Sequence, residues 1–217
     1  MVGRCLGMIF KRTKQKKNYK KDYGFKPTPV DEHKNLDDYT KKEAKLMFEW
    51  YLDDLPKRTQ YLFDYINRFT DMPLEYNFET FKKVIDWFST VIETRKLSKK
   101  EFAKEKEKIP KDWHEFLYDW DFTDDSWLLI AAIAGYLGMV MLEEFPGSYW
   151  KLDTAKTSVN YNRAIIGKQG KAGLGVRNIM EVIAYKIVKG KDLNLDQAIN
   201  SWRDDYADSK SEDKEGK

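Results

Sequence analysis

The sequence predicts a mainly helical α+β fold: a single-domain helical bundle around a central apolar helix, with a small C-terminal β-hairpin or two to three short strands. Hydrophobic residues make up 41% of the 217 residues, which is enough for one well-filled core. Apolar side chains recur at helical spacing along most of the chain. The uncharged stretch 126–142 is apolar on nearly every side, and such a helix belongs in the middle of a bundle.

The first helix is expected to begin at a capping box, in which Thr40 and Glu43 satisfy backbone amides that would otherwise lack partners. Its apolar residues follow the spacing of one helix face: Ala44, Met47, Phe48, Tyr51, Leu52 and Leu55. Pro56 removes an amide donor, so we expect it to end this helix and to start a second one. The short connection between them predicts an antiparallel helical hairpin.

Helical patterns continue through the middle of the chain. Asn77 is expected to cap the next helix, and Ser98 with Glu101 forms a second capping box, here for a short solvated helix. Another apolar stripe predicts a helix through four residues: Trp113, Phe116, Leu117 and Trp120. Thr123 offers a cap for the central apolar helix, which is expected over residues 126–145.

The pattern changes after the Pro146-Gly147 pair. Residues prone to extended structure predict two or three short strands between positions 148 and 166. A glycine-rich loop over residues 167–175 then leads into a helix that Gly190 is expected to end. Asn194 is expected to cap the last helix.

Charge divides the chain unevenly. Residues 1–27 carry nine Lys or Arg and one Asp, and the other residues carry 30 basic and 35 acidic side chains. We therefore expect a basic, flexible arm over residues 1–35, one globular domain over residues 36–207 and a charged, flexible tail over residues 208–217. Because the body is acidic, the overall pI of 8.6 is poor support for a nucleic-acid partner.

Several features favour a cytoplasmic protein. Cys5 is the only cysteine of the chain, so no internal disulfide can form and a reducing compartment is expected. The apolar run that ends at Phe10 is shorter than the core of a signal peptide. The stretch 126–142 is shorter than the roughly 20 residues that cross a bilayer, and its flanks are acidic rather than basic. We predict no stable transmembrane segment.

The glycine-rich loop is the most enzyme-like feature, because a loop before a helix offers free amides to a phosphate. It fails the P-loop test, since Ala172 stands where Ser or Thr should follow the lysine, and Asn178 replaces the third glycine of a dinucleotide fingerprint. A nucleotide- or phosphate-binding enzyme stays an alternative function. Its candidate binding residues are Lys168, Lys171, Gly173 and Gly175.

The residues of acid-base and metal chemistry are few and scattered. His33 lies in a polar segment and His114 lies beside Trp113, and the chain has no other histidine. Carboxylate pairs occur at helix ends, where capping or solvation accounts for them: Asp53-Asp54, Asp124-Asp125 and Asp204-Asp205. We predict no catalytic residue, no metal site and no cofactor.

Residues 112–127 form what we call the acidic-aromatic segment, which contains six acidic and six aromatic side chains and no Lys or Arg. Carboxylates steer a basic protein and aromatic anchors form the buried centre of an interface, so this segment is a candidate partner-binding surface. The alternative is that Trp113, Phe116 and Trp120 are core residues of a helix. The candidate binding residues are Asp112, Glu115, Asp119, Asp121, Asp124 and Asp125.

The central helix and the residues after it carry a resemblance to a family. The run Gly135-Tyr136-Leu137-Gly138, followed by Val140, Gly147 and Trp150, resembles a pattern in small uncharacterised bacterial proteins that include suspected toxin-immunity proteins. In that pattern a Gly-x-Tyr-x-Gly helix precedes a Gly/Trp hairpin, a glycine-containing turn and a closing helix. Met139 departs from it, since a glutamate often follows the second glycine. The glycines also have a physical explanation, because they let a neighbouring element approach the helix closely.

These observations lead to one preferred function. The resemblance and the acidic body imply an immunity protein that neutralises a bacterial toxin by occluding it, with a cognate toxin as its protein partner. A further alternative is a peripheral membrane or nucleic-acid adaptor that acts through the basic arm.

Overall fold

The apolar helix predicted at the centre of the fold lies there. In this computed structural model, which describes residues 27–31 and 34–206 apart from the Phe116 side chain, α4 spans Asp124–Glu144. Thr123 caps its first turn by accepting a hydrogen bond from the Ser126 amide. The predicted mainly α fold with small strand pairs is therefore confirmed. Most of the predicted basic arm and the whole predicted tail lie outside the described residues.

Helix α4 is buried by neighbours on several sides. Helices α1 (Lys41–Asn67), α2 (Phe78–Val91) and α5 (Val176–Val188) pack against it, and so do strands from both ends of the bundle. Among the described residues it is the one helix long and apolar enough to cross a membrane, and 67% of its most apolar window is buried within the bundle. This burial is the pattern of a core helix.

The structure overturns the predicted break at Pro56. Helix α1 is 27 residues long and continues through this proline to Asn67, so the chain forms no helical hairpin at Pro56. A proline inside a helix costs about 3 kcal/mol. Packing offsets that cost, because Leu55 on one side of the proline and Leu62 on the other are both buried in the fold. The Thr59 hydroxyl also donates to the Leu55 carbonyl at 3.0 Å.

The expected helix through Trp113 and Trp120 is also wrong. A short 3-10 helix spans Lys111–Phe116, and the chain then extends into strand β2 (Trp120–Phe122). This strand pairs antiparallel with β1 (Thr94–Lys96), and Lys96 lies opposite Trp120. Four aromatic and apolar residues at helical spacing are too few to separate a helix from a turn followed by a strand.

The predicted C-terminal hairpin is confirmed. Strand β3 (Tyr149–Leu152) pairs antiparallel with β4 (Ala164–Gly167), with Trp150 opposite Ile166. Leu174 adds a bridge to Ile166, which makes a third short extended segment. Helices α3 (Lys99–Glu107) and α6 (Leu195–Tyr206) and a short 3-10 helix, Leu36–Asp38, complete the described elements. Both capping boxes form as expected, at Thr40 and at Ser98.

Two glycines of α4 allow the bundle to close. A Cβ atom on Gly135 would lie 2.5 Å from the Leu55 side chain of α1, and a Cβ atom on Gly138 would overlap the indole of Trp150. The Trp150 ring also packs edge-on against Tyr51, with 5.4 Å between ring centroids. The close approach expected from the spacing of these glycines therefore takes place, and it seats the β3–β4 pair on the central helix.

Candidate functional site

The acidic-aromatic segment surrounds the N-terminal end of α4. Asp112 and Glu115 lie on the 3-10 helix, and Asp119 precedes β2. Asp124 and Asp125 form the first turn of α4, where the helix dipole favours negative charge. These five carboxylates are exposed, and the sixth, that of Asp121, is half-buried. The predicted partner-binding carboxylates thus follow one another around this end of the bundle.

The aromatic residues of this segment divide into buried and exposed groups. Phe122 is 1% exposed and belongs to the core, whereas Trp113 is 62% exposed and Tyr118 is 42% exposed. The core interpretation of Trp113 is therefore wrong. Two large aromatic side chains instead stand on the surface among carboxylates, and Trp and Tyr are residues that often anchor interfaces.

Beside these exposed rings lies a groove of about 570 Å³, which we call the aromatic groove. Its aromatic walls come from Tyr118, Trp120, Trp127 and Tyr185. The rings of Tyr118 and Trp120 stack with 5.1 Å between centroids and an interplanar angle of 17°. Tyr185, on α5, lies 5.6 Å from the Trp120 ring and supports it from the side of the bundle. The aromatic walls therefore come from β2, from the residue Tyr118 before it, and from helices α4 and α5, and other lining residues come from β1 and α3.

Carboxylates line the same groove. Asp121 accepts hydrogen bonds from the Trp127 indole at 3.1 Å and from the Phe122 amide at 2.7 Å, which fixes the indole beside the opening. Glu101 and Glu105 reach it from α3. Burial raises the pKa of Tyr185, and the nearby carboxylates, Asp121 first among them, raise it further. The lining also contains two cations, Arg95 and Lys104.

Glu101 is held firmly in its charged form. It accepts hydrogen bonds from the backbone and side chain of Ser98, and the Arg95 guanidinium lies 2.9 Å from it. The two Ser98 contacts and the Arg95 contact lower the pKa of Glu101 to about 2. The groove thus keeps this negative charge across the physiological range of pH.

Cations of the chain itself already occupy aromatic faces here. The Lys189 ammonium lies 3.8 Å from the centroid of the Tyr118 ring and 5.4 Å from that of Trp120. The Arg177 guanidinium lies 5.3 Å from the Trp127 ring and pairs with Glu181 at 2.7 Å. These distances are within the range of favourable cation–π contacts.

A smaller apolar depression adjoins the groove. It has a volume of about 230 Å³ and is lined by Ile109, Pro110, Trp113 and Leu117. Leu117 lines both openings, so the depression lies next to the aromatic groove. This surface combines apolar contact area with carboxylates at its edge.

The glycines of the loop proposed for phosphate binding are used for packing. A Cβ on Gly173 would overlap the Ile165 side chain, and a Cβ on Gly175 would overlap the Asn160 amide. Lys168 donates to the Tyr206 carbonyl at 2.8 Å and so ties the loop to the end of α6. Lys171 is half-buried and lies between Lys168 and Gly173 in the loop. Phosphate binding stays an untested prediction, but a structural role accounts for three of its four residues.

The remaining candidates for chemistry are separated from one another. The His114 ring lies 2.8 Å from the Lys106 carbonyl oxygen and 3.3 Å from that of Ile109, so it links the 3-10 helix to the end of α3. Asp54 is fully buried and pairs with Arg58 at 2.9 Å within α1. Within the described part of the chain, no three His, Cys, Asp or Glu side chains come together as a metal site would require. His33 lies outside the described residues.

Sequence reasoning did not find the full groove. Tyr185 and Lys189 on α5, and Glu101 and Glu105 on α3, reach the acidic-aromatic segment only through the tertiary fold. The spacing of Tyr185 and Lys189, one helical turn apart, places them on one face of α5, but does not say which element that face meets.

Comparison of the chain with models of protein families, with curated proteins and with solved structures finds no match.

Proposed function

We propose that this chain is a cytoplasmic protein-binding protein, and most concretely an immunity protein that neutralises a bacterial toxin by occluding it. The observation that carries this proposal is the exposure of Trp113 and Tyr118 on a concave surface surrounded by carboxylates. The partner would be the cognate toxin, bound by a preformed surface. The resemblance of residues 135–150 to suspected immunity proteins supports the same function.

The surface has the composition of an interface centre. Trp and Tyr are the residues that most often dominate binding free energy when their rings enter a pocket of a partner. The apolar depression beside Trp113 offers the complementary cavity for an anchor from the partner. Both features favour an interface with a buried central contact over binding by long-range electrostatic attraction alone.

The distribution of charge favours one part of the molecule as the binding surface for a basic partner. The six carboxylates of the acidic-aromatic segment would steer a basic partner towards it. On the neighbouring helix α3, four Lys and three Glu alternate over Lys99–Glu107, so that helix adds no net negative charge. A basic partner is therefore directed to the N-terminal end of α4 and not to the whole body.

Co-expression tests this proposal. The chain is expressed with the product of each neighbouring gene, and protection of growth against a toxic product is measured. We expect one product to be neutralised, and we expect the triple charge reversal Asp112→Lys, Glu115→Lys and Asp119→Lys to abolish that protection, because all three side chains are exposed and face the partner.

The matched control reverses three charges at the other end of the molecule: Glu143→Lys, Asp204→Lys and Asp205→Lys. Glu143 lies at the end of α4 opposite Asp124, about 30 Å away at 1.5 Å per helical residue. Tyr206, next to Asp205, packs on Phe145 at that same end. The control should retain protection. Protection that survives the first triple variant, or that is lost equally in both, would contradict the proposal.

A further inference from the structure

The solvent-facing side of α3 is basic. Glu101 and Glu105, the carboxylates of this helix that line the aromatic groove, are half-buried and already paired, with Arg95 at 2.9 Å and with Lys108 at 2.7 Å. Glu107 is the one exposed carboxylate of the helix. The exposed basic residues of α3 and its C-cap are Lys99, Lys100, Lys104 and Lys108. The charge that α3 presents to solvent is therefore positive.

The acidic-aromatic segment borders the same groove as this basic side. Lys104 of α3 and Asp121 of β2 both line the groove, and Lys96 of β1 lies 3.7 Å from Asp119 where basic and acidic residues meet. Several of the exposed charges on both sides have no ion pair within the described part of the chain: Lys99, Lys100, Lys104, Asp112 and Glu115. These charges are available to a second molecule.

An apolar patch separates the two charged groups. It is the small depression beside the groove, where Ile109 and Pro110 follow α3 and Trp113 lies on the 3-10 helix. The His114 ring holds this junction together, since it lies 2.8 Å from the Lys106 carbonyl oxygen. The order is therefore basic, apolar and acidic, and Lys111 is the only Lys or Arg between Pro110 and Asp125.

A surface with this order is complementary to itself. A twofold rotation about the apolar patch places the basic side of one copy against the acidic side of another, and apolar against apolar. We propose that the chain forms a dimer through this surface, in which α3 of each copy lies against the acidic-aromatic segment of the other and the two Trp113 rings lie at the centre. The interface is isologous, so each attractive contact occurs twice.

A second copy fits this surface better than a polyanion does. A nucleic acid or an anionic membrane would be attracted by the α3 lysines, but it would also meet the five exposed carboxylates of the acidic-aromatic segment. A second copy brings carboxylates to the lysines and lysines to the carboxylates. It also covers Trp113, which is 62% exposed in the single chain.

The dimer goes beyond the proposed function and requires no toxin. It covers the surface that the proposed function assigns to the cognate toxin, so the two associations exclude each other. The free chain would therefore keep its exposed aromatic residues covered until a partner competes for them.

Paired charge reversals test the dimer. The first variant reverses the basic side: Lys99→Glu, Lys100→Glu and Lys104→Glu. The second reverses the acidic side: Asp112→Lys, Glu115→Lys and Asp119→Lys. Circular dichroism checks that both are folded, and sedimentation equilibrium over a concentration series measures the dissociation constant. Each variant alone should dissociate at least about tenfold more readily than the parent, because like charges then face each other.

An equimolar mixture of the two variants provides the decisive measurement. In the mixed dimer both contacts join opposite charges again, so its dissociation constant should return to within about threefold of that of the parent. Raising the salt concentration from about 0.1 M to about 1 M shortens the Debye length from about 10 Å to about 3 Å and should weaken the parent dimer.

Two controls reverse as many exposed charges elsewhere. The control for the basic side uses α1 and the β3–β4 loop: Lys41→Glu, Lys42→Glu and Lys156→Glu. The control for the acidic side uses the opposite end of α4 and the end of α6: Glu143→Lys, Asp204→Lys and Asp205→Lys. Both controls should dimerise as the parent does.

Three results would overturn the inference: a parent chain that stays monomeric over the whole series, a dimer that neither variant weakens more than its control, or a mixture that associates no better than the single variants. A monomeric parent that binds heparin through the α3 lysines would assign them to a polyanion instead. All of these measurements use the purified chain alone. Failure of the proposed function, seen as growth protection that survives the acidic-side reversal, is therefore a separate result.

Discussion

The described residues contain two antiparallel strand pairs, and the tryptophans of the two pairs have different surroundings. In the β3–β4 pair, Trp150 turns inward and packs on Gly138 of the central helix. In the β1–β2 pair, Trp120 stacks with Tyr118, which is 42% exposed at the edge of an open groove. Trp150 therefore fills space on the central helix, whereas Trp120 lines an open groove. Each pair also has an aromatic residue of the other kind, since Tyr149 of β3 is 50% exposed and Phe122 of β2 is buried.

This difference separates two reasons for an aromatic residue to be present. Trp150 is explained by the stability of the fold, since its indole fills the space that a glycine leaves on α4. Trp113 is 62% exposed, so burial in the core does not explain it. Variants at the two sites should therefore differ in whether they affect stability or binding.

The largest expected effect is on the closed pair. Trp150→Ala should lower the free energy of unfolding by about 3 kcal/mol, the lower end of the range for a tryptophan removed from a core, because the indole is only partly buried. Denaturant titration followed by circular dichroism measures this change. A loss below about 1 kcal/mol would mean that β3 is not held by this side chain.

A smaller effect on the free energy of unfolding is expected at Gly138, and its sign should depend on whether Trp150 is present. Gly138→Ala should destabilise the parent chain by about 1–2 kcal/mol, since the new methyl group overlaps the Trp150 indole and this outweighs the better helix propensity of alanine. In the Trp150→Ala background the clash is gone, and the same change should stabilise by up to about 1 kcal/mol. Additive effects in this double-mutant cycle would show that the two residues are not in contact.

Trp113, which lies on the 3-10 helix before the β1–β2 pair, should contribute little to stability. Trp113→Ala should alter the free energy of unfolding by no more than about 0.5 kcal/mol, as is usual for exposed positions. The same variant should weaken the protective partner interaction by at least about tenfold, because an exposed tryptophan at the centre of an interface is commonly a dominant anchor. A loss of stability as large as that of Trp150→Ala would erase the distinction between the two regions.

The smallest expected effect concerns pH. The folded-state pKa of Glu101 is about 2, below its ordinary value, so its contribution to stability is present at neutral pH and is lost as pH falls through that folded value. Glu101→Gln should therefore lower Tm slightly at pH 7, and the difference from the parent should disappear near pH 2. Glu107→Gln, at the other end of α3, serves as the control for the change of charge. A Tm difference for Glu101→Gln that is independent of pH would contradict the capping role.

The sequence supports predictions best where a pattern is local. The caps at Thr40, Asn77, Ser98 and Thr123 all form, since each needs only a residue three positions away. The break at Pro56 was wrong because its outcome depends on burial of both flanks of α1 against α4. Local propensity cannot include that contribution.

Only part of the site could be predicted from the sequence, again because only local features can be recognised there. Its six carboxylates and the exposed Trp113 come from one stretch of chain, so composition is enough to find them. Strand β1 reads Thr-Arg-Lys, which has no apolar alternation to mark it as a strand. The opposite wall of the groove includes Tyr185 of α5, which follows the β3–β4 pair, and Lys189, directly after that helix, lies over the Tyr118 ring. Only tertiary structure brings that wall to the segment.

The position of α4 has a consequence for synthesis of the chain. Helices α1 and α2 precede it, but β4 and α5 follow it, so an emerging chain presents α4 to solvent with part of its apolar circumference uncovered. A nascent or truncated chain that stops before Val176 would expose that surface to chaperones and to aggregation. Completion of α5 is therefore the event that commits the central helix to its final environment.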